Sequence, residues 1–91
     1  MKENNLGLYL KKKRSEAGYS QRDVADKLGY TSSQFVSNWE RGLAAPPVGT
    51  LKKLGSMYKI SEKELFNVVL KTTVDNVTRQ LQRKFYGRKV N

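Results

Sequence analysis

Residues 20–42, SQRDVADKLGYTSSQFVSNWERG, set two short helical patterns back to back, and that spacing leaves the chain few folds. Val24, Ala25 and Leu28 recur at helical spacing, and Gly29 follows at once. Glycine accepts the left-handed backbone on which a helix commonly ends, so one helix stops there and the next begins within a few residues. Val36 and Trp39 mark the inner face of the second pattern, and Gly42 closes it. Ala25 is small, as two helices crossing closely require. Ser33, Gln34, Ser37 and Asn38 are left on the outer face. They are short, neutral hydrogen-bonding groups, whereas a merely solvated face is usually charged.

The composition narrows the chemistry. With 91 residues there is room for one small core. The sequence holds neither cysteine nor histidine, so thiolate nucleophiles, disulfides, zinc sites and Ser-His-Asp catalysis are all removed. Asp23, Asp26, Glu40, Glu62 and Glu64 fall at capping or surface positions and no glycine-rich phosphate loop is present, so no catalytic or metal site and no cofactor is expected. No apolar run is long enough to span a bilayer, and the N-terminal stretch is too polar for a secretory signal, which makes a cytoplasmic protein the expectation. Eighteen Lys and Arg against eight Asp and Glu give a net charge of +10. Solubility of a small domain needs only about 2–8 charges, so the excess favours a polyanionic partner, nucleic acid first. Taken with this charge, the neutral polar face of residues 33–38 suits the reading of base edges in a DNA groove.

The rest of the chain also reads as helix, with no strand alternation. A first helix starts after Asn4 or Asn5 and runs to Ala17, with Leu6, Tyr9, Leu10 and Lys13 on one stripe and Gly18 as its stop. Ser20 is an N-cap with Asp23 as a partial capping box. A third helix spans about 33–41, and a fourth spans about 48–58 with Val48, Leu51, Leu54 and Tyr58 inward. Gly55 permits close packing there. Ser61 with Glu64 is a full capping box that opens a fifth helix through Leu65, Phe66 and Val69.

The remaining segment, 71–91, is distinct in charge: six basic groups against one acid, a net of +5. Leu70, Val74, Val77, Leu81 and Phe85 form an apolar stripe, opposed by Lys71, Asp75, Arg79 and Arg83. Thr72 and Thr73 lower helix propensity, so a break or bend is expected between this segment and the fifth helix. Fraying is expected at 87–91. The division is therefore a domain over 1–70 and a basic amphipathic helix over 71–91, which either dimerises or packs on its own domain.

Residues 6–70 resemble the phage-repressor and Cro type of helix-turn-helix domain, the xenobiotic-response-element family. The matching residues are Arg14, Ser20-Gln21, Val24-Ala25, Leu28-Gly29, Val36-Ser37, Trp39-Glu40, Gly42, Pro46-Pro47, Leu51 and Leu54. The resemblance implies an all-α, five-helix, lambda-repressor-like domain, here followed by a C-terminal amphipathic helix. It implies that the third helix lies in the major groove. Base reading then falls to Ser33, Gln34, Ser37 and Asn38, with Gln34 suited to pair bidentately with adenine. Phe35 either packs on a thymine methyl or turns inward to finish the core. The resemblance further implies phosphate contacts from Gln21 and Arg41, and a structural ion pair between Arg14 and Glu40. Nine residues separate Gly29 from Trp39, one more than the family usually has, so the turn is longer by one residue. Ser32 is then the expected N-cap of the third helix, with Thr31 as rival; a shift of one would rotate the face by about 100°.

The function implied is a sequence-specific transcriptional regulator of double-stranded DNA, a repressor acting as a homodimer on a pseudo-palindromic site and associated with the nucleoid. One recognition helix reads too few base pairs for useful specificity, which is the geometric reason for two. An alternative is an antitoxin-like module whose C-terminal segment binds a partner protein. A membrane-surface role for that segment fits poorly, because its stripe lacks Trp and is rich in Val.

Overall fold

A computed structural model describes residues 5–87 and shows five helices among them: α1 (Asn5–Glu16), α2 (Gln21–Leu28), α3 (Gln34–Glu40), α4 (Val48–Met57) and α5 (Glu62–Tyr86). The described residues contain no strand, in keeping with the all-α expectation. None of their helices is long and apolar enough to cross a membrane. Of the segment expected to fray, residues 88–91 lie outside the described ones.

The core draws on every helix. Leu6 and Leu10 of α1 meet Val24 and Ala25 of α2, Val36 and Trp39 of α3, Leu51 and Leu54 of α4, and Leu65 of α5. Tyr58 and Ile60, between α4 and α5, complete it. α1 packs against both α3 and α5, α2 against α3, and α4 against α5. Burying each of the largest completely buried side chains, Leu10 and Leu54, contributes about 1.5–3 kcal/mol. Gly55 is buried where α4 approaches α5: a β-carbon there would stand 3.0 Å from Leu65 Cδ2. That is the close packing expected of it.

The helix ends explain the punctuation. At α2, the Ser20 hydroxyl accepts the Asp23 N–H at 3.0 Å, and the Ser20 N–H donates to Asp23 Oδ2 at 2.8 Å. The box expected to be partial is thus closed on both sides. Gly29 adopts φ +83°, and the Tyr30 N–H reaches back to the Ala25 carbonyl at 2.9 Å, which satisfies the last carbonyls of α2. α4 ends with the same hydrogen-bond pattern, Ile60 N–H to the Gly55 carbonyl at 2.8 Å, but its left-handed residue is Lys59 at φ +59°.

Four further sequence expectations need adjusting. The N-cap of α3 is Ser33, whose carbonyl accepts the Ser37 N–H at 3.0 Å, rather than Ser32. The Ser32 hydroxyl accepts the Gln34 N–H at 3.2 Å, so backbone and side-chain capping are split between neighbouring serines. Val48 is 74% exposed, because it opens α4 at the rim of a groove between α4 and α5 where nothing covers it. The capping box of α5 is used on one side: Ser61 accepts the Glu64 N–H at 3.1 Å, while the Glu64 carboxylate accepts from the Tyr9 hydroxyl and pairs with Lys13 at 3.6 Å. Those contacts tie α5 to α1. Finally, α5 runs without interruption through Thr72 and Thr73 to Tyr86. Thr72 is half-buried beside a small cavity it shares with Leu6 and Trp39; a propensity cost of about half a kcal/mol per threonine is too small to break a helix already anchored on the core through Leu65, Val68 and Val69.

Candidate nucleic-acid interface

α3 is held from behind by one buried ionic cluster. Glu40 is 5% exposed. Arg14 Nε donates to its Oε2 at 2.7 Å, Arg14 Nη2 to its Oε1 at 3.1 Å, and the Gln21 amide to the same Oε1 at 2.9 Å. Arg14 Nη1 also donates to the Tyr19 carbonyl at 2.9 Å. One carboxylate at the end of α3 is thereby tied to α1 and to the start of α2. The planar guanidinium suits this task because it presents two donors in parallel to a carboxylate. The Arg14–Glu40 pair expected as structural is therefore present and nearly dry, and the Glu40 hydrogen bond pushes the Arg14 pKa up, so its charge is permanent. Burial, with Glu40 adding to it, pushes the nearby Tyr58 hydroxyl up as well, so it stays a neutral phenol.

With Val36 and Trp39 buried against the core, the opposite side of α3 faces outward. Gln34 and Phe35 are exposed; Ser33, Ser37 and Asn38 are half-buried. The Gln34 amide donates to Asn38 Oδ1 at 2.9 Å, one turn along the helix. This contact orients the Gln34 amide while leaving its carbonyl oxygen and a second N–H for an outside partner. Adenine offers the complementary pair, an N6 donor beside an N7 acceptor, on its major-groove edge.

Phe35 takes the outward option. It is 56% exposed, and its ring lies against Tyr30 with centroids 5.0 Å apart. Tyr30 in turn meets Trp39 edge-on at 6.0 Å. The lengthened turn after Gly29 therefore has a use: it carries an aromatic ring that links the exposed Phe35 to the core. Arg22 donates to the Thr31 carbonyl of this turn at 3.2 Å and pairs with Asp26 at 3.2 Å. No sequence motif marks Arg22; its role depends on where the turn folds back over α2.

The expected phosphate-binding residues differ in setting. Arg41 is exposed just beyond α3. Gln21 is half-buried, with its amide directed to Glu40. Elsewhere on α1, Lys11 and Lys12 are exposed, and Lys13 bridges Glu16 and Glu64.

Comparison with known proteins agrees with this geometry. A helix-turn-helix family model matches residues 10–65, from the first core helix to the start of α5. The HTH-type transcriptional regulator ImmR of Bacillus subtilis (strain 168) is 40% identical over 57 residues, which are 63% of this chain and 44% of that protein. The chain thus spans less than half the length of that relative. No solved structure matches the chain. The matched segment contains α2, the Gly29 turn, α3 and the Arg14–Glu40 pair that fixes them, and on that basis the chain belongs to the Cro/C1-type helix-turn-helix family.

Proposed function

We propose that the chain is a sequence-specific, double-stranded-DNA-binding transcriptional regulator, a repressor that acts as a homodimer on a pseudo-palindromic operator. The observation that carries this reading is the outward Gln34–Asn38 pair on a helix fixed from behind by Glu40. A positioned amide on a rigid helix can read a base, whereas the same amide on a mobile loop would lose much of its selectivity. In this reading Ser33, Gln34, Phe35, Ser37 and Asn38 face the bases, with Phe35 against a thymine methyl. Arg41 contacts a phosphate, and Gln21 offers its second amide N–H to another while keeping the first on Glu40. The protein works at the nucleoid. ImmR's name as a transcriptional regulator and the +10 charge support the same conclusion.

Selection of bound sequences from random double-stranded DNA, followed by mass analysis of the shifted complex, tests it. The expected result is an inverted repeat carrying two chains, with half-sites about one helical turn apart. Uniform recovery of all sequences would overturn it.

A further inference from the structure

α5 has two apolar faces. Leu65, Val68 and Val69 pack into the domain. Phe66, Leu70, Val74, Val77, Leu81 and Phe85 lie on the other side and are 46–80% exposed. Their intervals are four, four, three, four and four residues, and their identities run Phe-Leu-Val-Val-Leu-Phe. The stripe reads the same in both directions about a point between Asp75 and Asn76. Thr73 and Thr78 flank it at equal distances from the same point.

We infer that this face is covered by a second copy of the chain, its α5 antiparallel, in one register. Turned end for end, the stripe meets itself type on type: Phe66 faces Phe85 of the second copy, Leu70 faces Leu81, and Val74 faces Val77. Every contact occurs twice, as a two-fold interface requires. The size gradient also fits. Two packed helices cross at an angle and diverge from the crossing point, so small valines belong at the centre and phenylalanines at the ends.

Charge permits a copy of the same chain as occupant. Asp75, Arg79 and Arg83 lie around the other side of the helix, while Lys71 and Lys84 flank the stripe and in this register stand level with Gln80 and Asn67 of the second copy. Among the described residues of this segment, no basic group is thus set directly against another. Covering the stripe would remove roughly 600 Å² per copy, or about 1,200 Å² in all, the lower end of what a specific interface needs. The groove between α4 and α5 adds to this. It encloses about 400 Å³, is lined by Val48, Leu51, Gly55, Ile60 and Val69, and includes Phe66 in its wall. Phe85 of the second copy arrives beside Phe66, at the mouth of this groove. The exposed Val48 acquires a neighbour by the same step. The inference rests on the homodimer reading above and specifies its surface.

The chain has no cysteine, so introduced thiols report on one contact alone. Full-length Leu70→Cys and Leu81→Cys variants are mixed in equal amounts and oxidised. The expected product is the mixed disulfide, well in excess of either like-with-like one, since like positions stand about 16 Å apart along the helix in this register. Like-with-like disulfides at both positions would show a parallel pair and overturn the register while leaving the homodimer intact. No cross-link together with a monomeric sedimentation mass would overturn the interface; two chains still bound per operator would then show that the homodimer reading survives without it. Leu81→Lys at an already exposed position should weaken dimerisation by about thirtyfold or more with helical circular dichroism retained. An unchanged dimer in that variant would also sink the inference.

Discussion

Glu40 accepts hydrogen bonds from two side chains on two other helices in a place that water hardly reaches, and that makes single atoms matter here. Removing Arg14 would strand the carboxylate with the Gln21 amide as its remaining side-chain donor of the cluster. Arg14→Met should therefore cost about 3 kcal/mol, which denaturant unfolding would register as a lower midpoint. Gln34 poses the opposite case, since its side chain is exposed and supports nothing in the core. Gln34→Ala should leave stability unchanged and lower discrimination at one base position by about 1–3 kcal/mol, with non-specific affinity kept. Competition binding against single-base operator variants measures this, and equal weakening on every sequence would mean that another residue reads that base. The sequence pattern named both residues, but not the hydrogen bond that orients Gln34 nor the Gln21 amide turned to Glu40.

Among the elements, the caps decide where helices begin and end, and two acidic residues, Asp23 within a cap and Glu64 between α5 and α1, bring acid sensitivity. The Ser20 backbone N–H holds the Asp23 carboxyl below the usual range, and the Tyr9 hydroxyl does the same for Glu64. Both groups bind protons less readily folded than unfolded, where they titrate at about 3.8 and 4.5. Their stabilisation should be complete above about pH 5 and fade as pH falls through the lower folded values, which thermal melts between pH 3 and 6 would follow. At the far end of α4, Lys59 occupies a left-handed conformation that a β-carbon disfavours. Lys59→Gly should raise stability by about 0.5–1 kcal/mol, visible as a melting point a few degrees higher. The glycine ends of α1, α2 and α3 were legible because glycine announces them. The end of α4 was not, because buried Ile60 draws the chain into the same turn without one. Val48 departs from its pattern for a similar reason: its spacing matches Leu51 and Leu54, yet in the first turn of α4 it stands at the open rim of the groove.

At the scale of the molecule, α5 sets the shape. Its 25 residues extend roughly 37 Å at the usual helical rise, against a longest dimension of 43 Å. The radius of gyration is 14.4 Å, where a compact chain of this length would give about 12 Å. The protruding half carries Lys71, Arg79, Arg83 and Lys84. Binding to DNA should be steeply salt-dependent, the logarithm of affinity falling by about 0.9 for each phosphate neutralised per unit of log salt concentration. Titrations from 50 to 200 mM salt would show this as a loss of several orders of magnitude for about six or more contacts, and a flat response would exclude phosphate-driven binding.

Signals confined to a few neighbouring residues are what the sequence by itself determined. Caps, glycine stops and helical periodicity depend on local backbone sterics and local hydrogen bonds, so the helices, the Gly29 turn and the core set of Val24, Ala25, Val36 and Trp39 could be read directly. The tertiary structure decided everything that depends on how helices meet. Arg14 and Glu40 stand 26 positions apart, and Tyr9 and Glu64 stand 55 apart; no local rule states their distance or their burial. The same holds for α5. Its stripe was visible as a spacing, but whether it faced the core or solvent depended on Leu65, Val68 and Val69 taking the inward side first. A helix has one direction in which it can bury against its own domain, and here the more hydrophobic-looking stripe was left on the outside.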